Sequence, residues 1–123
     1  KDRWIKRIER CFGQMADEIF QLKEKDLLLE VEEREKRMDL IESKWEEIKE
    51  RCYVNLPSAD QLMELLKDVG AIYSPKELGV DRELFRDSLI VAKEIRKRYG
   101  IMQLLDDLGM LEEAVDYIVD KYY

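Results

Sequence analysis

The first half of the chain carries apolar residues at steps of three and four within two long charged stretches, residues 4–22 and 27–52. Positions three and four apart share one face of an α-helix, so each stretch predicts an amphipathic helix. The apolar positions of the two stretches fall out of helical phase with each other near residues 23–26. Gly13 is the one helix breaker before that point. We therefore predict a long helical hairpin over residues 1–54, with one continuous helix as the alternative.

Residues 55–123 show helix start and stop signals at short intervals. Ser58 and Gln61 fit an S-x-x-Q capping box, and Gly70 marks the end of that helix. The apolar positions between them predict its buried face. These positions are Leu62, Leu65, Leu66 and Val69. Ser74-Pro75 predicts a further start, which Gly79 ends after about one turn.

Three more helices follow in the prediction. Asp81 caps a helix that extends to about Tyr99, and Gly100 breaks it. The core stripe expected for this helix is Phe85, Leu89, Ala92, Ile95 and Tyr99. A short helix over 101–108 is closed by Gly109. Apolar residues at helical spacing then predict a last helix: Leu111, Val115, Ile118 and Tyr122.

The pattern as a whole predicts an all-α fold, a long N-terminal helical hairpin followed by several short capped helices. Alternating apolar and polar positions do not persist long enough anywhere to predict a β-strand. We expect residues 1–123 to form a single all-α domain. Because the composition changes near Asn55, a subdomain seam is expected there, between a hairpin over 1–54 and a short-helix bundle over 55–123.

Composition narrows the set of partners. The chain has 22 Lys and Arg against 29 Asp and Glu, and its net charge of -7 argues against nucleic acid as a partner. The longest purely apolar stretch, residues 89–92, is far shorter than the roughly 18 residues that a membrane span needs. Cys11 and Cys52 form no C-x-x-C pair and suit a reducing, cytoplasmic location, although a disulfide between the first two helices stays open.

Catalytic chemistry is hard to find in this sequence. There is no histidine, which removes the commonest general base and the commonest metal ligand. Neither a Gly-rich nucleotide loop nor a nucleophile motif occurs. We therefore predict no catalytic, cofactor-binding or metal-binding residue in the chain. The acidic pairs Asp106-Asp107 and Glu112-Glu113 are interpreted as solvated surface, because adjacent helical residues point about 100° apart.

A few other side chains have two interpretations. Arg86 and Asp87 suggest a group of interacting polar side chains. The basic run from Arg96 to Arg98 suits the last turn of a helix, where cations favour the dipole, and the alternative is an anion contact. Both tryptophans lie on apolar stripes and are expected to anchor a core or an interface, whereas the terminal tyrosines are expected to pack or to fray rather than to take part in recognition. These residues are Trp4, Trp45, Tyr117, Tyr122 and Tyr123.

An ordered series of short motifs resembles a known family. The series is Leu56-Pro57-Ser58, Leu65-Leu66, Gly70-Ala71, Ser74-Pro75, Leu78-Gly79, Leu84-Phe85-Arg86-Asp87, Ala92, Ile95-Arg96, Arg98-Tyr99, Leu104-Leu105, Leu108-Gly109 and Leu111-Glu112. It is similar to the C-terminal part of the sn-glycerol-1-phosphate dehydrogenases, especially their bacterial arabinose-operon branch. This family lies in the superfamily of iron-containing alcohol dehydrogenases and dehydroquinate synthase. Phe12-Gly13, Ala16-Asp17-Glu18 and Trp45 extend the resemblance towards the N-terminus.

The resemblance implies a part of a larger cytoplasmic oxidoreductase of phospholipid metabolism, an expectation that a first residue other than Met also suits. In that family an N-terminal domain binds NADH or NADPH, and an Asp and two His hold zinc or nickel. An all-α C-terminal domain closes over the cleft in which dihydroxyacetone phosphate is reduced. The partner expected for this chain is therefore the missing nucleotide-binding domain; a homo-oligomer stays open. The chain alone is expected to be inactive, and a stand-alone interaction module is the alternative function.

Overall fold

A computed structural model describes residues 2–23 and 31–123 of the chain. Within these two ranges every regular element is helical and no β-strand occurs, so the predicted all-α class is confirmed. The α-helices are α1 (Asp2–Phe12), α2 (Ala16–Lys23), α3 (Val31–Ser43), α4 (Trp45–Asn55), α5 (Ala59–Asp68), α6 (Arg82–Val91), α7 (Ile101–Asp107) and α8 (Leu111–Tyr122). Short 3₁₀ turns occupy Gly13–Met15 and Ala92–Glu94.

The chain divides into two compact units. The first unit joins Lys1–Leu28 to Gly79–Tyr123, and the second unit is Leu29–Leu78. The expected seam near Asn55 lies inside the second unit, between α4 and α5, so the units do not divide there. The assignment of residues 1–123 to one domain stays a prediction.

The core lies in the first unit and consists of two clusters of buried apolar side chains. One cluster joins α6 to α8 and contains Ile90, Val91, Leu111, Val115 and Val119. The other joins α1 to α2 and contains Ile8, Ala16 and Ile19. Phe12 packs against both clusters, and it therefore links the two halves of this core.

The first predicted helix is divided at Gly13. This glycine has a φ of +52°, a left-handed conformation that residues with a Cβ rarely adopt. The chain forms a 3₁₀ turn there before α2 begins, so the first arm is two helices. The second arm is also divided, because α3 ends at Ser43 and α4 begins at Trp45. The hairpin turn expected at 23–26 lies, from residue 24 onward, outside the described residues.

Helix α5 begins as predicted but its apolar face is exposed. Ser58 Oγ accepts from the Gln61 N–H, and Gln61 Oε1 accepts from the Ser58 N–H, which completes the capping box. The expected burial of Leu62, Leu65, Leu66 and Val69 is wrong, since all four are exposed. No side chain between residues 32 and 78 is buried. A helical period identifies the apolar face, but it does not say what covers that face.

The segment after Ser74 is a hydrogen-bonded turn rather than a helix. The Leu78 N–H donates to the Pro75 carbonyl at 3.2 Å, and Gly79 follows with a φ of +70°. The predicted stop at Gly79 is therefore confirmed, whereas the predicted helical turn before it is wrong.

Helix α6 ends at Val91, well before the predicted end at Tyr99. Residues 92–94 tighten into a 3₁₀ turn, and residues 95–100 are not helical. Ile90 and Val91, in the last turn of α6, are buried, whereas Ala92, Ile95 and Tyr99, within and beyond the tighter turn, are exposed. Phe85 and Leu89 still pack against the core from positions of intermediate exposure.

The last two helices lie close to their predicted positions. Helix α7 ends at Asp107, and Gly109, with a φ of +71°, turns the chain into α8. The Met110 N–H donates to the Leu105 carbonyl at 2.8 Å, a bond that closes the end of α7. Among the described residues, no helix has both the length and the apolar character to span a bilayer.

Candidate functional site

Metal ligands are not gathered anywhere in the part of the chain that the structure describes. Three or more Cys, Asp or Glu side chains suited to one ion do not meet there. Both cysteines are free thiols, so the disulfide that the sequence leaves open is not present; Cys11 is half-buried, and Cys52 is exposed. Burial, with a further contribution from Asp87, raises the pKa of the Cys11 thiol. The reactive thiolate form of Cys11 is therefore disfavoured at neutral pH.

Glu94 lies at the centre of a group of buried charges, which we call the buried charge cluster: Lys23, Lys93 and Glu94. Glu94 is only 4% exposed, and it accepts from Trp4 Nε1 at 3.0 Å and from the Lys93 ammonium. Lys23, which is 6% exposed, lies 3.9 Å from Glu94 Oε2. The cluster connects α1, α2 and the 3₁₀ turn after α6, and its single carboxylate serves two buried cations.

Lys93 also links the cluster to α7. Its Nζ lies 2.9 Å from Asp106 Oδ2. Burial by itself lowers the pKa of Lys93, but the hydrogen bonds to Glu94 and Asp106 outweigh it, so the pKa lies above the ordinary 10.5. Lys93 therefore stays charged at neutral pH. Asp106 is exposed, as its interpretation as solvated surface predicts, and it pairs there with the Lys93 ammonium.

A second group of ion pairs joins α1, α6 and α8, and we call it the arginine ladder. Its pairs are Arg3 and Arg7 with Glu112, Arg10 with Asp87, Arg86 with Asp116, and Arg82 with Asp120. Arg7 Nη2 lies 2.6 Å from Glu112 Oε1, and Arg3 Nη2 lies 2.8 Å from the same oxygen. Glu112 lies at the surface with its side chain 39% exposed, and it holds α1 against α8. Its neighbour Glu113 is exposed.

The other polar residues singled out from the sequence also have structural partners. Arg86 and Asp87 do not form a mutual pair, because Arg86 Nε donates to Asp116 and Asp87 accepts from Arg10. Asp107 accepts from Tyr99 Oη at 2.9 Å. The charges of the ladder hold helices together, and each of its carboxylates is engaged by an arginine.

We expect the ladder to make the stability of the first unit depend on acid pH. The hydrogen bond from Arg7 holds the pKa of Glu112 below its ordinary 4.5. A depressed pKa contributes stability that is present above pH 4.5 and is lost as the pH falls below it. Urea unfolding midpoints measured down to about pH 3 should therefore fall less steeply for Glu112→Gln than for the unchanged chain. Glu113→Gln is the matched control and should keep the unchanged slope; equal slopes for all three proteins would contradict the prediction.

The two tryptophans differ in their surroundings. Trp4 packs on Phe20 with ring centroids 5.5 Å apart and contacts the core cluster of Ile8, so its anchoring role is confirmed. Trp45 is 40% exposed, so its expected core position is wrong, and its expected interface position stays a prediction. Tyr123 stacks on Phe85 at 6.4 Å, as its packing interpretation predicts, whereas Tyr117 is exposed.

Three consecutive cations lie beyond the end of α6, in residues 95–100, which we call the basic segment. Arg96, Lys97 and Arg98 are exposed, and none of them pairs with a carboxylate among the described residues. Their expected position in the last turn of a helix is wrong, because the helix ends before them. Sequence reasoning named these residues but placed them on the wrong element.

The second unit carries an extended set of exposed apolar side chains, which we call the apolar surface. Its members are Tyr53, Val54, Leu56, Leu62, Leu65, Leu66, Val69, Ile72 and Leu78. Exposed apolar residues in this number leave the second unit with apolar area that is available to an interaction partner.

Comparison with known proteins gives three similar sequences. Over 93 residues the chain is 33% identical to the glycerol-1-phosphate dehydrogenase (NAD(P)+) of Geobacillus stearothermophilus. This match covers 70% of the chain and 22% of that enzyme. The predicted resemblance is confirmed. The chain is 30% identical over 93 residues to the enzyme of that name from Geobacillus thermodenitrificans, with the same coverage. The chain is 34% identical over 59 residues to the enzyme of the same name from Bacillus licheniformis, a match that covers 48% of the chain and 15% of that enzyme.

The chain therefore spans about a fifth of the length of the curated relatives that it matches. No protein-family model matches the chain, and no solved structure matches it. The similarity thus concerns one helical region, and all three relatives are named as dehydrogenases.

Proposed function

We propose that the chain serves as the C-terminal helical domain of a glycerol-1-phosphate dehydrogenase-like oxidoreductase. In this role it forms one wall of the cleft in which NAD(P)H reduces dihydroxyacetone phosphate. The observation that carries the proposal is the similarity over 93 residues to two dehydrogenases of which the chain spans only 22%. A helical lobe that excludes water from a cleft assists hydride transfer without supplying a reacting group.

The metal of the resembling family does not fit the described residues of this chain. Zinc and nickel prefer nitrogen and sulfur ligands, but the chain has no histidine and its two cysteines lie in different units. Many carboxylates in the first unit are already held by arginine or lysine. We therefore assign the hydride-transfer chemistry to the rest of the proposed enzyme and derive no reaction step for this chain.

The apolar surface of the second unit supports the same proposal. A domain that works within a larger enzyme has a face that meets the rest of that enzyme, and such a face is apolar at its centre. The apolar surface equally favours a second candidate, a stand-alone helical module that binds another protein. The two candidates differ in what the gene encodes before Lys1.

In the first experiment, the gene is sequenced upstream of the Lys1 codon, and the protein encoded by the complete reading frame is expressed. The proposal expects an upstream nucleotide-binding domain, and it expects the complete product to oxidise NADH or NADPH when dihydroxyacetone phosphate is added. The 123-residue chain alone should show no turnover under the same conditions. A start codon immediately before Lys1, or a complete product that is inactive with dihydroxyacetone phosphate, would overturn the proposal and favour the interaction module.

A further inference from the structure

The basic segment begins at a point that buried contacts fix. Glu94, the last residue of the 3₁₀ turn, is held by Trp4 and Lys93 within the buried charge cluster. Lys23 Nζ then donates to the backbone carbonyl of Arg96 at 3.3 Å. A buried lysine that binds a backbone carbonyl sets the position of that residue, and it leaves the Arg96 side chain available to solvent.

Contacts to α7 fix the other end of the segment. Tyr99 Oη donates to Asp107 Oδ2 at 2.9 Å. The carbonyl of Gly100 accepts from the N–H groups of Gln103 and Leu104, both at 3.0 Å. The three basic residues between Glu94 and Tyr99 are therefore displayed from a backbone that is anchored on both sides. Less conformational entropy is lost when an anchored segment binds a ligand than when a freely moving loop does.

The cations of the basic segment differ from the other arginines of the first unit in how they are paired. The five arginines of the ladder are all paired with carboxylates, and their helices are held together by those pairs. Arg96, Lys97 and Arg98 stabilise no such contact among the residues that the structure describes. Three adjacent unpaired cations on a chain whose net charge is -7 create a local positive potential that attracts an anion.

We infer that the basic segment binds a phosphate monoester, with Arg96 and Arg98 as its donors. Guanidinium groups donate to two phosphate oxygens at once, and Lys97 adds a third positive charge. The inference rests on the proposed function, because the relatives are named for glycerol 1-phosphate and for NAD(P)+. The phosphate ester has two sources, the triose substrate and the ribose 2′-phosphate of NADP(H), and the experiment separates them.

Direct binding is tested on the complete gene product by labelling arginine with phenylglyoxal and locating the labels by peptide mass spectrometry. Inorganic phosphate should slow the labelling of Arg96 and Arg98 severalfold, whereas sodium chloride at equal ionic strength should not. Arg34 is the internal control, because it is exposed and lies in the second unit. Equal rates with and without phosphate at Arg96 and Arg98 would overturn the inference, whether or not the protein is an active dehydrogenase.

Steady-state kinetics then identify the source of the phosphate. The variant is Arg96→Gln/Arg98→Gln, and the control is Lys6→Gln/Arg34→Gln, which also removes two exposed positive charges. We expect the KM for dihydroxyacetone phosphate to rise about tenfold or more in the variant, since charge-assisted hydrogen bonds are lost, while kcat stays within about twofold. The KM for dihydroxyacetone, which lacks phosphate, should not change.

The KM values distinguish the substrate from the cofactor as the source of the phosphate, and they test the inference separately from the proposed function. A higher KM for NADPH with an unchanged KM for NADH would support the inference and would assign the site to the cofactor. Unchanged KM values for all four compounds, in an active enzyme, would overturn the inference and leave the proposed function intact. An unchanged protein that has no dehydrogenase activity would overturn the proposed function, and phosphate protection of Arg96 and Arg98 would then decide the inference alone.

Discussion

Replacing Glu94 by glutamine should destabilise the first unit by about 3 kcal/mol, because two buried lysines then lose their shared carboxylate. Lys23 is 6% exposed, and the Lys93 side chain is 8% exposed. Glutamine has nearly the shape of glutamate and can still accept from Trp4, so the change removes charge rather than packing. The free energy of unfolding is measured by urea denaturation. A Trp45→Phe background makes Trp4 the only indole, and its fluorescence reports on the first unit.

The matched control for Glu94→Gln is Glu9→Gln. Glu9 lies on α1 in the same unit, and it is exposed. Its replacement should change the free energy of unfolding by less than about 0.5 kcal/mol, as is usual for surface substitutions. If Glu94→Gln and Glu9→Gln had equal free energies of unfolding, the buried charge cluster would not stabilise the first unit, and the prediction would be wrong.

Replacing Ile8 by alanine should destabilise the first unit by about 2–5 kcal/mol. Ile8 is 0% exposed and forms a buried cluster with Ala16 and Ile19. Alanine leaves a cavity there, because the surrounding side chains belong to helices that also take part in ion pairs and can only partly collapse. The same urea denaturation, followed through Trp4, measures the loss.

Ile101→Ala is the control for this cavity. Ile101 begins α7, is 65% exposed, and undergoes the same change in side chain. Because alanine is a better helix former and little surface is buried, its effect should lie within about 0.5 kcal/mol. A loss at Ile101 as large as the loss at Ile8 would show that the described core does not determine the stability of the unit.

Local signals in the sequence predicted the positions of several helix ends. The capping box of Ser58, the cap of Asp81 and the stop at Gly109 depend on residues a few positions apart, so the sequence contains all the information that they need. The end of α6 could not be found in this way. Glu94 lies in the 3₁₀ turn that follows α6, and its partners Trp4 and Lys23 are distant in the chain.

Burial was predicted less well than helix position. The stripe of α5 correctly identifies an apolar face, but its exposure depends on what lies against it, which the period of one helix does not encode. The acidic residues Asp106 and Glu112 were interpreted as solvated because adjacent helical residues point about 100° apart, and their ion pairs were not predicted. Their partners Lys93 and Arg7 come from other helices, and Arg7 is 105 positions from Glu112.

The first unit is assembled from both ends of the described chain, and this affects how it forms during synthesis. Helix α1 leaves the ribosome long before α6 and α8, whose side chains complete its ion pairs. While residues 29–78 are being translated, α1 and α2 have been made, but the described helices α6, α7 and α8 that complete the first unit have not. Nascent chains halted within residues 29–78 should therefore expose α1 to chaperones, and release should come only once α8 has been made.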